Sequence, residues 1–157
     1  MRKVRQGFMV LLMASLVVIG WIGASPAALA AGQAKTSPPP PSFQLYSSYS
    51  GYTYLLSSSR TIKDNKNQTI DITPVTQAKS TVAVIGAKIQ FQEWSGASWV
   101  NVNSQIDLSS TNASYFQKTA TKAARAGYYY RACVTHYVIK SGVTELAMEY
   151  TDSILVS

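Results

Sequence analysis

Cysteine and histidine each occur once in these 157 residues, as Cys133 and His136, and there are only seven acids. A single cysteine excludes an internal disulfide, so an apolar core must hold the fold. One histidine and one cysteine exclude a zinc site of the usual ligands. Three positions apart on a strand, the two face opposite sides and cannot form a dyad. No Gly-x-Ser-x-Gly occurs, and a mid-strand histidine is a poor base for a serine triad. Glu145 and Glu149 share one face of a strand, but four rises of about 3.4 Å set them about 13–14 Å apart. Glycosidase carboxylates lie roughly 5–9.5 Å apart. Only a tertiary approach of Glu93 or Asp152 would supply such a pair. The run from Asp64 to Asp71 offers oxygen ligands, yet Lys66 stands where a calcium loop wants an acid, and no glutamate closes it. A polar turn between two strands explains that run better. The expectation is a chain without metal or cofactor, and not an enzyme.

What is present begins with an export signal. Arg2, Lys3 and Arg5 form a basic start, Phe8 to Ala24 is apolar, and Ser25-Pro26 breaks the helix. Ala28-Leu29-Ala30 then gives the small-x-small exit that a signal peptidase reads. The apolar run is near the lower limit for a spanning helix, so an uncleaved anchor is the competing reading. No cysteine follows it, which argues against a lipid-modified anchor. No second long apolar run exists, so the mature form is expected not to span a membrane. Residues 1–30 are read as a signal peptide, cleaved near Ala30/Ala31, and the mature chain as extracellular.

Without Arg2, Lys3 and Arg5, eleven cations stand against seven acids, a net +4. The cations are scattered singly from Lys35 to Lys140, whereas a nucleic-acid footprint clusters. No nucleic-acid partner is expected. Residues 31–51 read as a Pro/Ser-rich linker, because Pro38 to Pro41 favour an extended polyproline stretch. From residue 52 onward the pattern has period two, with turns every 8–15 residues. Tyr52–Leu56 begins a strand. Thr69–Val75 follows, with Pro74 ending it or marking an edge. Ser80–Ile85, Lys88–Trp94, Trp99–Val102, a weaker Ser114–Thr121, Tyr128–Ile139 and Val143–Val156 complete the set. Thr119–Ala126 is rich in alanine and fits one helical turn. The fold class is all-β. About seven short antiparallel strands over residues 52–157 suggest a two-sheet sandwich, with an open barrel as runner-up.

From about Gln68 to Ser157 the chain resembles the immunoglobulin-like and fibronectin type III-like sandwiches of bacterial secreted proteins. The residues that carry this run from Ile85 through Phe91, Trp94 and Trp99. They continue at Gly127-Tyr128-Tyr129-Tyr130-Arg131 and Thr135-His136. They are similar to a family of small exported proteins of Gram-positive bacteria. The resemblance implies a fold and an extracellular address, and it brings no activity or functional residues. The chain departs from sandwiches with an inter-sheet disulfide, since it has no second cysteine.

Two features are candidates for function. Trp94 and Trp99 flank a four-residue turn and should lie opposite each other across a hairpin. Exposed, they form a platform on which sugars or peptides stack; buried, one is a core tryptophan. Mixed burial is expected, with Trp94 and Trp99 together the possible ligand platform. Cys133 depends on the register of the last hairpin. A two-residue Ser141-Gly142 turn sets Cys133 opposite Tyr150. A three-residue Lys140-Ser141-Gly142 loop sets Val134 opposite Met148 and Ala132 opposite Tyr150. The second puts the apolar sets together, and it is the one expected. Tyr130, Ala132 and Val134 then point inward, Tyr130 as a tyrosine corner, and Cys133 lies on the outer face. The functional reading is a secreted non-catalytic β-sandwich module that binds at the cell surface or wall. Cell-wall polymer, glycan or another protein are its candidate partners. The alternative is a small secreted hydrolase.

Overall fold

The computed structural model describes residues 33–41, 49–102 and 104–157. The export signal at 1–30 lies outside the described residues, as does most of the Ser/Tyr-rich run before Tyr49. The chain is all-β, with 66% of the described residues in strands. Eight strands follow one another: β1 Leu55–Asp64, β2 Thr69–Trp94, β3 Trp99–Asn101, β4 Ile106–Gln117, β5 Ala120–Ala123, β6 Tyr129–Lys140, β7 Val143–Tyr150 and β8 Ile154–Leu155. They make one open, curled antiparallel sheet.

The organising element is β2, 26 residues long. Its first half pairs with β1 on one side and with β5 and the end of β4 on the other. Its second half pairs with β6 on one side and with β3 and the start of β4 on the other. Between the halves the register against β4 slips: Gln77 faces Tyr115, yet Val82 faces Ala113. Extra residues on one strand bend it and increase its twist. The burial phase changes at the same corner, from Ile70, Ile72, Thr76 and Ala78 to Ile85, Ala87, Ile89 and Phe91. One continuous strand thereby serves both sides of the curl.

Sequence reasoning divides this strand into Thr69–Val75, Ser80–Ile85 and Lys88–Trp94, with Pro74 ending the first or marking an edge, and the structure runs through all three. Pro74 pairs with Arg60 on β1. Its other flank faces the junction where β5 pairing stops at Ile72 and β4 pairing starts at Val75. A residue without an N–H is tolerated where the ladder is already interrupted. The alanine-rich stretch read as a helical turn is β5, held in the sheet by its pairing with Thr69–Ile72.

Gly86 fixes the approach of β4 and β6 to the second half of β2. An added Cβ would collide with the Leu108 carbonyl oxygen and sit 2.8 Å from the Tyr137 ring. Tyr137 lies directly across from Gly86 and covers the gap, and its hydroxyl donates to Asp107 at 2.7 Å. Gly86→Ala is expected to cost about 1–3 kcal/mol in urea unfolding, because a backbone oxygen must move. Gly51, with nothing within 4 Å of its added Cβ, is the control. There the same change should stay within about 0.5 kcal/mol.

The last hairpin takes the register that was not expected. Lys140 pairs with Val143 across a two-residue Ser141-Gly142 turn, so Cys133 faces Tyr150 and Val134 faces Glu149. Ser141 and Gly142 both have positive φ, 51° and 76°, as a type I′ turn requires. Leu146 and Met148 are consequently 53% and 61% exposed, while Ala147 and Glu149 are buried. An acid faces inward because β1 and the segment before it supply its partners. Glu149 accepts from the Tyr49 and Ser58 hydroxyls, each at 2.7 Å, and pairs with Arg60 at 2.9 Å.

Those contacts belong to a seam where β1 meets β7. No ladder joins these strands, and side chains do so instead. Glu145 accepts the backbone N–H groups of Thr53, Tyr54 and Leu55 at 2.5–2.8 Å. Tyr52 donates its hydroxyl to the Leu146 carbonyl at 2.6 Å, and Arg60 Nε donates to the Tyr150 carbonyl at 2.8 Å. Charged acceptors make the stronger of these bonds. At the other end, Tyr130 is buried as expected. Its hydroxyl accepts the Arg125 backbone N–H at 3.0 Å, the upstream contact of a tyrosine corner.

Candidate functional site

Side chains alternate along each strand, so β3, the second half of β2, β6 and β7 share an outer face. Trp94, Gln92, Gln90 and Lys88 of β2 point there, opposite Phe91 and Ile89 in the core. Arg131 and Cys133 of β6 join them, and Tyr150 follows on β7.

Trp94 and Trp99 pair across the β2–β3 hairpin. Their ring centroids are 5.3 Å apart and their planes tilted by 56°. Their exposures differ: Trp94 is 6% exposed, whereas Trp99 is half-buried. The N-terminal segment covers Trp94, whose Nε1 donates to the Ser37 carbonyl at 3.0 Å. That segment is anchored further by Lys35 N–H on the Gly127 carbonyl at 2.8 Å. Gly127 lies so close beneath it that an added Cβ would meet the Gln33 carbonyl at 2.9 Å.

Trp99 also meets a cation. The Arg131 guanidinium lies 4.4 Å from the Trp99 ring and 4.3 Å from the Tyr150 ring. Arg131 Nε donates to Gln92 at 2.8 Å, and the Gln92 amide in turn donates to Asn101 at 2.9 Å. Aromatic stacking and this amide chain together orient the guanidinium. Burial pushes the Arg131 pKa down, partly offset by Tyr150 and Cys133. The other two arginines among the described residues are ion-paired, Arg60 with Glu149 and Arg125 with Glu93.

Cys133 lies beside this row on the outer face, half-covered. Burial pushes its thiol pKa up, against the opposing effects of the Tyr150 hydrogen bond and Arg131. The thiolate is the reactive form. Labelling of native protein by a thiol reagent at neutral pH should therefore be on the order of tenfold slower than in urea. It should accelerate as pH rises toward 10. Complete labelling within seconds at pH 7 would contradict the covered position.

His136 is on the opposite, inner face and fully buried. Its Nδ1 lies 2.8 Å from the Thr76 hydroxyl, which donates to the Gly86 carbonyl at 3.1 Å. A hydroxyl has one hydrogen, so both contacts are satisfied when Nδ1 carries the imidazole proton. Nε2 is then a bare, buried acceptor with no hydrogen-bond partner among the described residues. Burial lowers the pKa to about 4, with Glu149 opposing and Arg60 reinforcing the shift. The imidazole is neutral at ordinary pH and sealed from solvent.

The acids are engaged as well. Burial pushes Glu93 up, but the hydrogen bonds of Arg125 and Tyr130 outweigh it and hold the carboxyl below its usual range. Asp64, at the β1–β2 turn, is likewise pushed up by burial. Hydrogen bonds from Lys66 and Ser157 nevertheless bring it to about 2. Sequence reasoning missed this engagement because Glu93, Glu145 and Glu149 find partners 32–100 residues away. It also missed Arg131 and Tyr150 as neighbours of Trp99. The alternation that places Arg131 on the outer face was readable, but the correct hairpin register was needed to bring Tyr150 beside it.

No protein-family model matches the chain, and no curated protein matches it. A crystal structure of a protein from Archaeoglobus fulgidus is similar over 66% of this chain and 98% of its own, at 9% identity and a TM-score of 0.32. A likeness that slight carries nothing about what this chain does.

Proposed function

We propose that the chain is exported, cleaved near Ala30/Ala31, and acts outside the cell as a non-catalytic module that binds an extracellular polymer, such as a wall polymer or glycan. The carrying observation is the row of Trp99, Arg131 and Tyr150 on the outer face, with ring and guanidinium held in contact. Aromatic faces stack on sugar rings, and neighbouring amides and cations supply orientation. Trp94 backs this surface from beneath the N-terminal segment, and Trp99 offers the accessible ring. The two side chains best suited to nucleophilic or base chemistry are committed elsewhere. His136 is neutral and sealed in the core, and burial holds the Cys133 thiol protonated.

The immunoglobulin-like sandwich belongs to the same reading. What supports it is the change of burial phase along β2 and the side-chain bonds that join β1 to β7. The secretory address rests on the basic, apolar and small-residue order of residues 2–30.

The test is co-sedimentation of the purified chain with insoluble wall polymer and glycan, compared with Trp99→Ala. The variant should lose about tenfold or more in affinity while unfolding in urea close to wild type, since Trp99 is not a core residue. Retained binding would remove this face as the site. Mass spectrometry of expressing cultures should find a chain starting near Ala31 in the medium. A full-length chain confined to membranes would contradict export.

A further inference from the structure

Arg131 is held like a ligand-binding group rather than a solvated surface cation. It is half-buried, fixed by two rings and one amide, and without a carboxylate partner among the described residues. A desolvated guanidinium without a counter-ion is unfavourable, and protein arginines usually resolve it with a bidentate carboxylate, as Arg125 does with Glu93. At Arg131 the Nε is occupied by Gln92, and the terminal nitrogens carry the remaining donors of the fork. Asp107, an acid on the same face, already receives the Tyr137 hydroxyl. Lys88, next to Asp107 in the sheet, adds a second cation to this surface.

From this arrangement we infer that Arg131, with Trp99 and Tyr150, forms an anion-binding subsite. It takes an oxyanion, phosphate or carboxylate, carried on a polyhydroxyl polymer. The inference rests on the proposed binding role and gives its ligand class. The charged fork meets the oxyanion, while the flanking rings pack against the polyol or sugar on either side. A planar guanidinium stacked between aromatics recognises oxyanions geometrically, which a lysine in the same place does not. The mature chain's net +4 favours approach of such a polymer without supplying the specificity.

Three immobilised polymers separate the outcomes: poly(glycerol phosphate), polygalacturonate and neutral dextran. Each is tested with the purified wild-type chain, with Arg131→Gln and with Arg131→Lys, in 50 and 300 mM salt. The wild type should bind one or both charged polymers and weaken in high salt. Arg131→Gln should reduce that binding about tenfold or more, and Arg131→Lys should restore only part of it. The preferred arm distinguishes phosphate from carboxylate. Urea unfolding of each variant separates lost binding from lost fold, and the salt response of the wild type reads the anion without any substitution. Dextran binding as tight as that of the charged polymers, with no salt dependence, would overturn the anion subsite and leave the binding role standing. Charged-polymer binding unchanged in Arg131→Gln would assign it to the scattered cations and overturn the inference too. Failure of all three polymers to bind would overturn the subsite and count against the polymer-binding role itself.

Discussion

Glu149→Ala is expected to lower stability by about 3–5 kcal/mol, because it removes a buried, ion-paired carboxylate from the seam between β1 and β7. Glu149 is buried, whereas its partner Arg60 keeps 22% of its side chain exposed, so the lower part of that range is expected. Without the carboxylate, Arg60 keeps its bond to the Tyr150 carbonyl but loses its counter-charge. Tyr49 and Ser58 lose an acceptor at the same time. Much of the loss is therefore the cost of leaving these groups unsatisfied rather than the worth of the pair itself. Replacing both partners, Arg60→Met with Glu149→Leu, should recover most of the stability. Urea unfolding of the two singles and the double completes the cycle. A single variant within about 0.5 kcal/mol of wild type would show that the Arg60–Glu149 pair does not hold the seam together.

The second large effect is a dependence on pH set by His136. Its unfolded pKa is the ordinary 6.5, and its folded value is about 4. Between those values the unfolded chain holds a proton that the folded chain does not, so stability rises with pH across this window. The contribution is fully present above pH 6.5 and is lost as pH falls toward 4. Its size is about 3 kcal/mol, from a shift of that extent in a fully buried group. The charges facing the ring are Glu149 from β7 and Arg60 from β1, and the Thr76 hydroxyl faces it from β2. Asp64, brought to about 2, adds a loss of the same sign between its ordinary value of 3.8 and 2. Urea midpoints measured at pH 7.0, 5.5 and 4.5 should fall steadily in wild type. In His136→Leu the slope over that range should be largely gone. A wild-type midpoint that is level from pH 7.0 to 4.5 would mean that the imidazole is not held neutral in the core.

These expectations show where sequence reasoning succeeds and where it stops. Tyr130, Ala132 and Val134 do point inward, although the hairpin register from which that face was chosen is not the one formed. Period-two alternation identifies the all-β class and the Trp94–Trp99 hairpin. Each of these depends on residues close together in the chain. The register of the last hairpin was misread because matching apolar sets favours burying Leu146 and Met148. The winning arrangement buries Glu149 instead, and its justification lies on β1, about 90 residues earlier. Nothing local announces that Arg60 will arrive there. Pro74 was read as an end or an edge because a proline normally interrupts a ladder, but the gap between β5 and β4 that accommodates it is tertiary. The candidate site was half legible. Trp99 stood out by composition, whereas the Arg131 stack required the positions of three strands.

The most direct measurement is the nitrogen–proton correlation spectrum of the labelled chain as soluble poly(glycerol phosphate) and, in a second series, soluble polygalacturonate is added, read for the polymer that binds more tightly. A working surface on the outer face predicts that the Trp99 indole and Arg131 Nε signals move first and saturate together. The backbone signals of Thr76 and His136, on the inner face, should stay in place. Movement centred on the Arg60–Glu149 seam, or Trp99 and Arg131 signals unmoved at saturating polymer, would contradict the account.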